Sequence, residues 1–401
     1  MARAADYTIQ GFLYQFNKTA SAILEANDDE TITVEGIVED IEVSSSTSLT
    51  LIQCKYHETS TSFIPSRLYR PLLQMLKHFS DNSTVNIRYR LFAHLPVVGA
   101  ESPTVTKATL RAALKSKDKD LAKHVKAMSK NIDLDSFLGR FTMELGPSYD
   151  EITRQVGMAL EANGIPKGDI DTLAYPNAIQ MIADLSMKHD PADRHITKMK
   201  FLADLMAIRT TAISRWTLAL KTREKVLQAR RKQLKIHLDK NARLRYFVID
   251  PKSIEDYDSE IALFVADYID KYHCKPAHIH TPVLCLRASK SEIQDIQHRL
   301  YAKGIVATDG YVGEPFEMSH FFREPMIAKV GAGKWKREFS LRIVSMEDHG
   351  TALNGRKCDD LFIIGEAAFD QLDTVDVNVE RLAGATLKEI KYVLGVSNVY
   401  E

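Results

Sequence analysis

Val38–Glu58 reads VEDIEVSSSTSLTLIQCKYHE. A strand-like run holding Asp40 meets a serine-rich turn, and a second strand-like run, Leu49–Tyr56, carries Gln53 and Lys55 two apart. Side chains alternate faces along a strand, so Gln53 and Lys55 share one face while Ile52 and Cys54 share the other. An antiparallel hairpin across Ser45–Ser48 puts Asp40 opposite Gln53, with Cβ atoms about 5 Å apart. A shift of one residue would turn Asp40 to the wrong face. The expected register is therefore Asp40 against Gln53.

Outward from this hairpin the chain reads as α/β. Ile9, Phe12, Leu13, Phe16, Ala20, Ile23 and Leu24 recur at helical spacing and predict an amphipathic helix over Thr8–Ala26. Thr31–Val43 is β-branched and alternating, and predicts one or two strands. Ser66–Phe79 reads as a helix with Pro71 in its first turn, and Ser83–His94 as a further strand. This helix–strand–strand–strand–helix–strand order predicts a mixed sheet flanked by helices over residues 1–104. Residues 105–245 read as helical, punctuated by Gly146-Pro147, Gly164-Ile165-Pro166 and Asp190-Pro191. Short apolar runs such as RYFVID, TPVLCLRA, FSLRIVSM and CDDLFIIG then alternate with helical segments, predicting a second α/β domain over 246–401.

The bulk numbers set limits. The 401 residues carry 53 Lys+Arg and 53 Asp+Glu, so net charge is silent about nucleic acid. The four cysteines lie in apolar runs without a C-x-x-C pair, as reduced thiols of a cytoplasmic protein do. No run approaches the roughly 20 apolar residues of a membrane span, and the N-terminus lacks an apolar signal core, so no membrane partner is expected.

The hairpin pattern has a chemical reading. Hydrolysing a phosphodiester calls for a metal that polarises the phosphate and supplies hydroxide. Mg²⁺ (or Mn²⁺) takes hard oxygen ligands and only one or two carboxylates. Asp40 offers a carboxylate; Gln53 offers its amide oxygen, or the Cys54 backbone carbonyl serves instead. Lys55 offers a fixed positive charge for the attacking water and the developing anion. A second acid is wanted, and Glu35 is preferred over Glu39, because a bulge at Gly36 would swing Glu35 onto the face of Asp40. Gln15 lies beside the Phe12/Phe16 stripe, where it can face the same sheet. A solvated hairpin face would show the same residue types. Against that, Leu49, Leu51, Ile52 and Cys54 flank Gln53 and Lys55, and an unpaired polar group among buried neighbours costs about 1–3 kcal/mol.

GFLYQ (Gly11–Gln15), VEGIVED (Val34–Asp40) and LIQCK (Leu51–Lys55) together resemble the nuclease domain of bacterial antiphage effectors of the PD-(D/E)XK restriction-endonuclease superfamily. These are the double-stranded DNA endonucleases of SAVED-linked CBASS systems and the nuclease subunit of Lamassu systems; glutamine in place of the usual glutamate resembles Mrr-like members. The resemblance covers about residues 8–95, with weaker likeness in Ile132–Ile165 and His195–Leu205. It implies a restriction-endonuclease-like fold, a metal-bound Asp40, Gln53 in the glutamate position, Lys55 as catalytic lysine, and Gln15 and Glu35 in support. It also implies double-stranded DNA as substrate, and silence until self-association or a partner complex switches the enzyme on. The length of 246–401 fits a Lamassu-type subunit with SMC-like partners better than a full SAVED domain. A non-catalytic nucleic-acid-binding scaffold with a vestigial nuclease fold, and an RNase, remain alternatives.

Three further features stand out. Arg209–Arg245 is strongly basic, and Arg223, Lys225, Arg230, Arg231, Lys232 and Lys235 are its candidate phosphate contacts; a solvated face, a partner surface or an oligomerising helix fits the same pattern. HIHTP (His278–Pro282) reads as a loop before a strand. VGAGKWKRE (Val330–Glu338) has a lysine after glycines but lacks the Walker A spacing, and reads as a basic turn.

Overall fold

The structure, a computed structural model, describes residues 2–36, 39–57, 64–82, 85–95, 104–126, 128, 132–331, 334–366 and 371–400. The chain is α/β, and it divides into two compact units, residues 1–209 and 210–401.

The first unit opens with the helix Ala2–Glu25. Its helical spacing buries Leu13, Phe16, Ala20, Ile23 and Leu24, whereas Phe12, expected in the same stripe, stands exposed. The strands are β1 (Thr31–Val34), β2 (Ile41–Ser44), β3 (Leu49–Tyr56), β4 (Ile87–His94), β5 (Phe141–Leu145) and β6 (His195–Ile196). They form one mixed sheet in the order β5-β4-β3-β2-β1-β6. β2 runs antiparallel to β1 and β3, β6 runs antiparallel to β1, and β3, β4 and β5 are parallel. The helix Tyr69–Asp81 bridges β3 and β4, and buries Leu72, Met75, Leu76 and Phe79 against Leu51, Tyr89 and Leu91. Pro71 sits in its first turn, where no backbone donor is lost to the helix.

The stretch expected to be helical over 105–245 departs from that reading at β5, at β6 and in the basic segment. Phe141–Leu145 is a strand: Phe141 and Met143 turn toward the core under β3 and β4, an alternation of period two inside a helical neighbourhood. The expected continuous basic helix is also broken, into Arg215–Leu218 and Arg223–Leu238. Ser214 starts the first piece through a capping box with Thr217.

The second unit holds β7 (Arg245–Ile249), β8 (Val283–Leu286), β9 (Ala307–Thr308), β10 (Ile327–Gly331), β11 (Lys334–Arg337), β12 (Leu341–Ser345), β13 (Asp360–Ile364) and β14 (Asn378–Leu382). Six of them make a wholly parallel sheet, β14-β13-β7-β8-β12-β9. Every residue of β7, β8, β12 and β13 is buried, as a parallel sheet covered on both faces requires. One face packs on the helices Tyr257–Tyr272, Lys290–Ala302 and Leu387–Val393. The other packs on Phe321, Leu353 and Cys358. Arg342, in β12, is fully buried; its guanidinium donates to the carbonyls of Phe321 and Thr281 at 2.7 Å and of Arg323 at 2.6 Å. β10 and β11 form a separate antiparallel ribbon where the sequence suggested a basic turn. The segment before β8 is irregular, as HIHTP suggested. No helix among the described residues is long and apolar enough to cross a membrane.

Candidate functional site

The site is built on the described residues between β1 and β2: Glu35 and Gly36 after the first strand, Glu39 and Asp40 before the second. Val34 pairs with Ile41, and the Glu35 N–H donates to the Asp40 carbonyl at 2.9 Å, closing the loop. Closure puts Glu35 at φ 51°, a left-handed conformation that favours glycine. Two contacts hold it there: Gln15 Nε2 donates to Glu35 Oε1 at 2.5 Å, and Arg194 Nη1 donates to the Glu35 carbonyl at 2.6 Å. A Cβ at Gly36 would lie 2.2 Å from Glu42 Oε1, so any larger residue there would have to displace that side chain. The expected bulge at Gly36 adjoins Ile37 and Val38, which lie outside the described residues.

On the other side of β2, the Ser45–Ser48 loop sets the register Ser44↔Leu49 through Ile41↔Ile52. One step further brings Asp40 against Gln53. Strand pairing stops at Ile41, and the Asp40 side chain takes over, with Oδ2 accepting the Cys54 N–H at 2.7 Å. A strand residue points its N–H and C=O to the same neighbour, so the Cys54 carbonyl is also turned toward Asp40. A carboxylate and a main-chain carbonyl thereby lie side by side at the sheet end.

Gln53 is 6% exposed and Lys55 is half-buried. The positive charge of Lys55 acts on Glu35, Glu39 and Cys54, and the Asp40 carboxylate acts on the same three groups. Burial raises the Glu35 pKa, with Asp40 adding to the rise and Gln15, Arg194 and Lys55 opposing it. Burial holds the Cys54 thiol far above its usual range, so only its backbone is useful here.

Glu39, the acid passed over in favour of Glu35, is buried. It is 4% exposed, and neither carboxylate oxygen has a hydrogen-bond partner among the described residues. Burial, and then the Asp40 charge, push it up to about 8. Lys18 went unremarked in the sequence. It lies three residues after Gln15 on the same helical face, is 8% exposed, and places Nζ 3.3 Å from Glu144 Oε1 on β5. The available signal was the polar run Asn17-Lys18-Thr19 inside a helix of otherwise apolar spacing.

Among the described residues no group of three His, Cys, Asp or Glu side chains could hold a metal ion. That excludes a zinc-type cage there, and it leaves the requirement of a hard cation untouched. Mg²⁺ or Mn²⁺ asks for one or two carboxylates, fills its shell with water and phosphate oxygens, and uses carbonyl donors readily. Asp40, the Cys54 carbonyl, and the Gln53 and Glu35 side-chain oxygens fit that chemistry.

The basic segment is largely consumed within the second unit. Arg230 is 4% exposed and pairs with buried Glu380, which removes it from any phosphate-binding face. Arg223 Nε donates to Glu389 at 2.8 Å, and Arg231 Nη2 donates to Asn398 at 2.7 Å with its guanidinium over the Tyr392 ring. Lys225, Lys232 and Lys235 are exposed. The sequence signal was the dense charge; the acids that answer it lie more than a hundred residues away.

No protein-family model matches the chain, and no curated protein matches its sequence. Among solved structures it is similar to an Acinetobacter baumannii Cap4 SAVED/CARF-domain containing receptor with the cyclic trinucleotide 2'3'3'-cAAA. Identity is 11%, covering 93% of this chain and 81% of that one, at a TM-score of 0.30. The same receptor solved without a named ligand covers 89% of this chain and 90% of its own, at 11% identity and a TM-score of 0.28. An E. coli ADP-heptose LPS heptosyltransferase II scores 0.18 at 10% identity, over 86% of this chain and 98% of its own. TM-scores this low carry no conclusion about this chain.

Proposed function

We propose that the first unit is a metal-dependent DNA endonuclease of the PD-(D/E)XK type, the effector of a prokaryotic antiphage system, gated by oligomerisation or by a partner complex. The observation that carries this reading is the Asp40–Cys54 contact: it fixes the aspartate at the strand that presents Gln53 and Lys55. Asp40 and the Cys54 carbonyl would hold the cation, with Gln53 and Glu35 as further oxygen donors. Bound Mg²⁺ or Mn²⁺ supplies Lewis acidity toward the phosphate and a low-pKa water. Lys55 orients the attacking water and offsets the negative charge that grows on the phosphate oxygens. Gln15 keeps the Glu35 carboxylate pointed inward, and Arg194 keeps the loop closed.

The test is plasmid nicking with and without Mg²⁺. Intact protein nicks only with metal, and Lys55→Ala abolishes nicking while leaving DNA binding largely intact. Absence of cleavage at every metal and protein concentration favours the scaffold instead.

A further inference from the structure

We propose that the β10–β11 ribbon of the second unit is a duplex-binding element that enters a groove of nucleic acid. The choice of DNA rests on the reading of the first unit; the binding itself rests on the ribbon. The ribbon is its own two-stranded sheet, apart from the parallel one. All of β10 is exposed, including Val330 at 62%, and across the ribbon Trp335 is 49% exposed. The sequence from Met326 to Arg337 carries Lys329, Lys334, Lys336 and Arg337 and no acid, in a chain whose charges balance over its full length.

The base of the ribbon is fixed. Arg337 Nη2 donates to the Lys275 carbonyl at 2.7 Å and to the His278 carbonyl at 2.9 Å. The nearest acid in sequence, Glu338, is taken by Arg323 at 2.7 Å. Lys329 and Lys336 are exposed and form no ion pair among the described residues.

The distribution of charge selects the partner. Lys329 pairs across the ribbon with Trp335, and Ala328 pairs with Lys336. Neighbouring residues face opposite ways, so Lys329 and Lys336 lie on opposite faces of the ribbon. Ile327 and Trp335 share the face of Lys329, whereas Lys336 stands on the other, so neither face is free of cations. Cations on both faces suit a slot walled by phosphates on both sides. The major groove, about 12 Å wide, admits a two-stranded ribbon. Lysines also discourage edge-to-edge pairing of exposed strands, but that role gives no reason for an exposed tryptophan between them. Trp335 supplies a flat apolar surface for sugar and base edges.

The test uses the full chain with Lys55→Ala, so that the duplex survives, and a fluorescently labelled mixed-sequence DNA duplex read by anisotropy. Trp335 reports contact directly, because the second tryptophan of the chain, Trp216, is 8% exposed. Duplex quenches Trp335 emission. Lys329→Glu/Lys336→Glu weakens binding and lowers the slope of log K against log salt by about 2, since each phosphate contact contributes about 0.9. Trp335→Ala weakens binding with the slope kept. An unchanged affinity and slope in the double variant overturns the ribbon, whatever cleavage shows. So does lysine-dependent binding to phosphatidylserine vesicles without binding to DNA. Ribbon-dependent binding by a protein that never cleaves upholds the ribbon and removes the endonuclease.

Discussion

Asp40 does two jobs, and two substitutions separate them. Its Oδ2 accepts the N–H of buried Cys54 at 2.7 Å. A hydrogen bond to a charged group contributes about 1.5–3 kcal/mol, and Asp40→Ala also leaves that N–H without its acceptor. With about 2 kcal/mol lost, a unit of this size melts roughly 4–8 °C lower. Asp40→Asn keeps an oxygen in place and loses only the charge assistance, roughly half of the bond. It should melt within a few degrees of the parent while losing metal-dependent cleavage as fully as Asp40→Ala. The assay is calorimetry on the transition of the first unit, paired with plasmid cleavage on the same samples. Equal melting of Asp40→Ala and the parent would refute the structural role. Cleavage retained by Asp40→Asn would refute the metal-ligand role.

Three other outcomes follow from the packing. Gly36→Ala should cost about 1–3 kcal/mol by overpacking, and a Glu42→Ala background should recover most of it, because the atoms in the way belong to that side chain; chemical denaturation of the four proteins of the cycle measures this. Arg230→Ala strands Glu380 and should destabilise the second unit by about 3–5 kcal/mol, whereas Arg230→Met/Glu380→Leu should come close to the parent in denaturant, with DNA affinity little changed. Burial and the nearby Arg337 charge lower the His273 pKa to about 3. The unfolded chain therefore binds the extra proton first, so stability is fully present above about pH 6.5 and falls as pH drops toward 3. His273→Phe should flatten that window in urea midpoints measured from pH 7 to pH 4.

The hairpin was legible as two strands about a serine-rich loop, and the expected pairing agrees with the register that sets Ile41 against Ile52, although both faces of β3 are buried and turn length alone does not decide it. The second acid was harder to read. Glu35 is held by Gln15 and Arg194, both distant in sequence, so its placement could not be read from the strand pattern alone. β5 was hidden because five residues of alternation sit among helices, and only the open edge of β4 makes them a strand. The basic helix misled for a related reason. Charge density is local, but Glu380 and Glu389, which absorb Arg230 and Arg223, reach them only through the parallel fold. The second sheet was legible as α/β, since its central strands are largely apolar runs, while its strand order was beyond what those runs encode.

The account turns on whether Lys55 belongs to a working hydrolytic centre. The most direct measurement is the rate of supercoiled plasmid conversion by the full chain over a series of protein concentrations, with Mg²⁺ or EDTA, against Lys55→Ala purified in parallel. The account predicts conversion that needs Mg²⁺, rises more steeply than linearly with protein concentration, and vanishes in the variant. Equal conversion by both proteins, or conversion indifferent to EDTA, would contradict it.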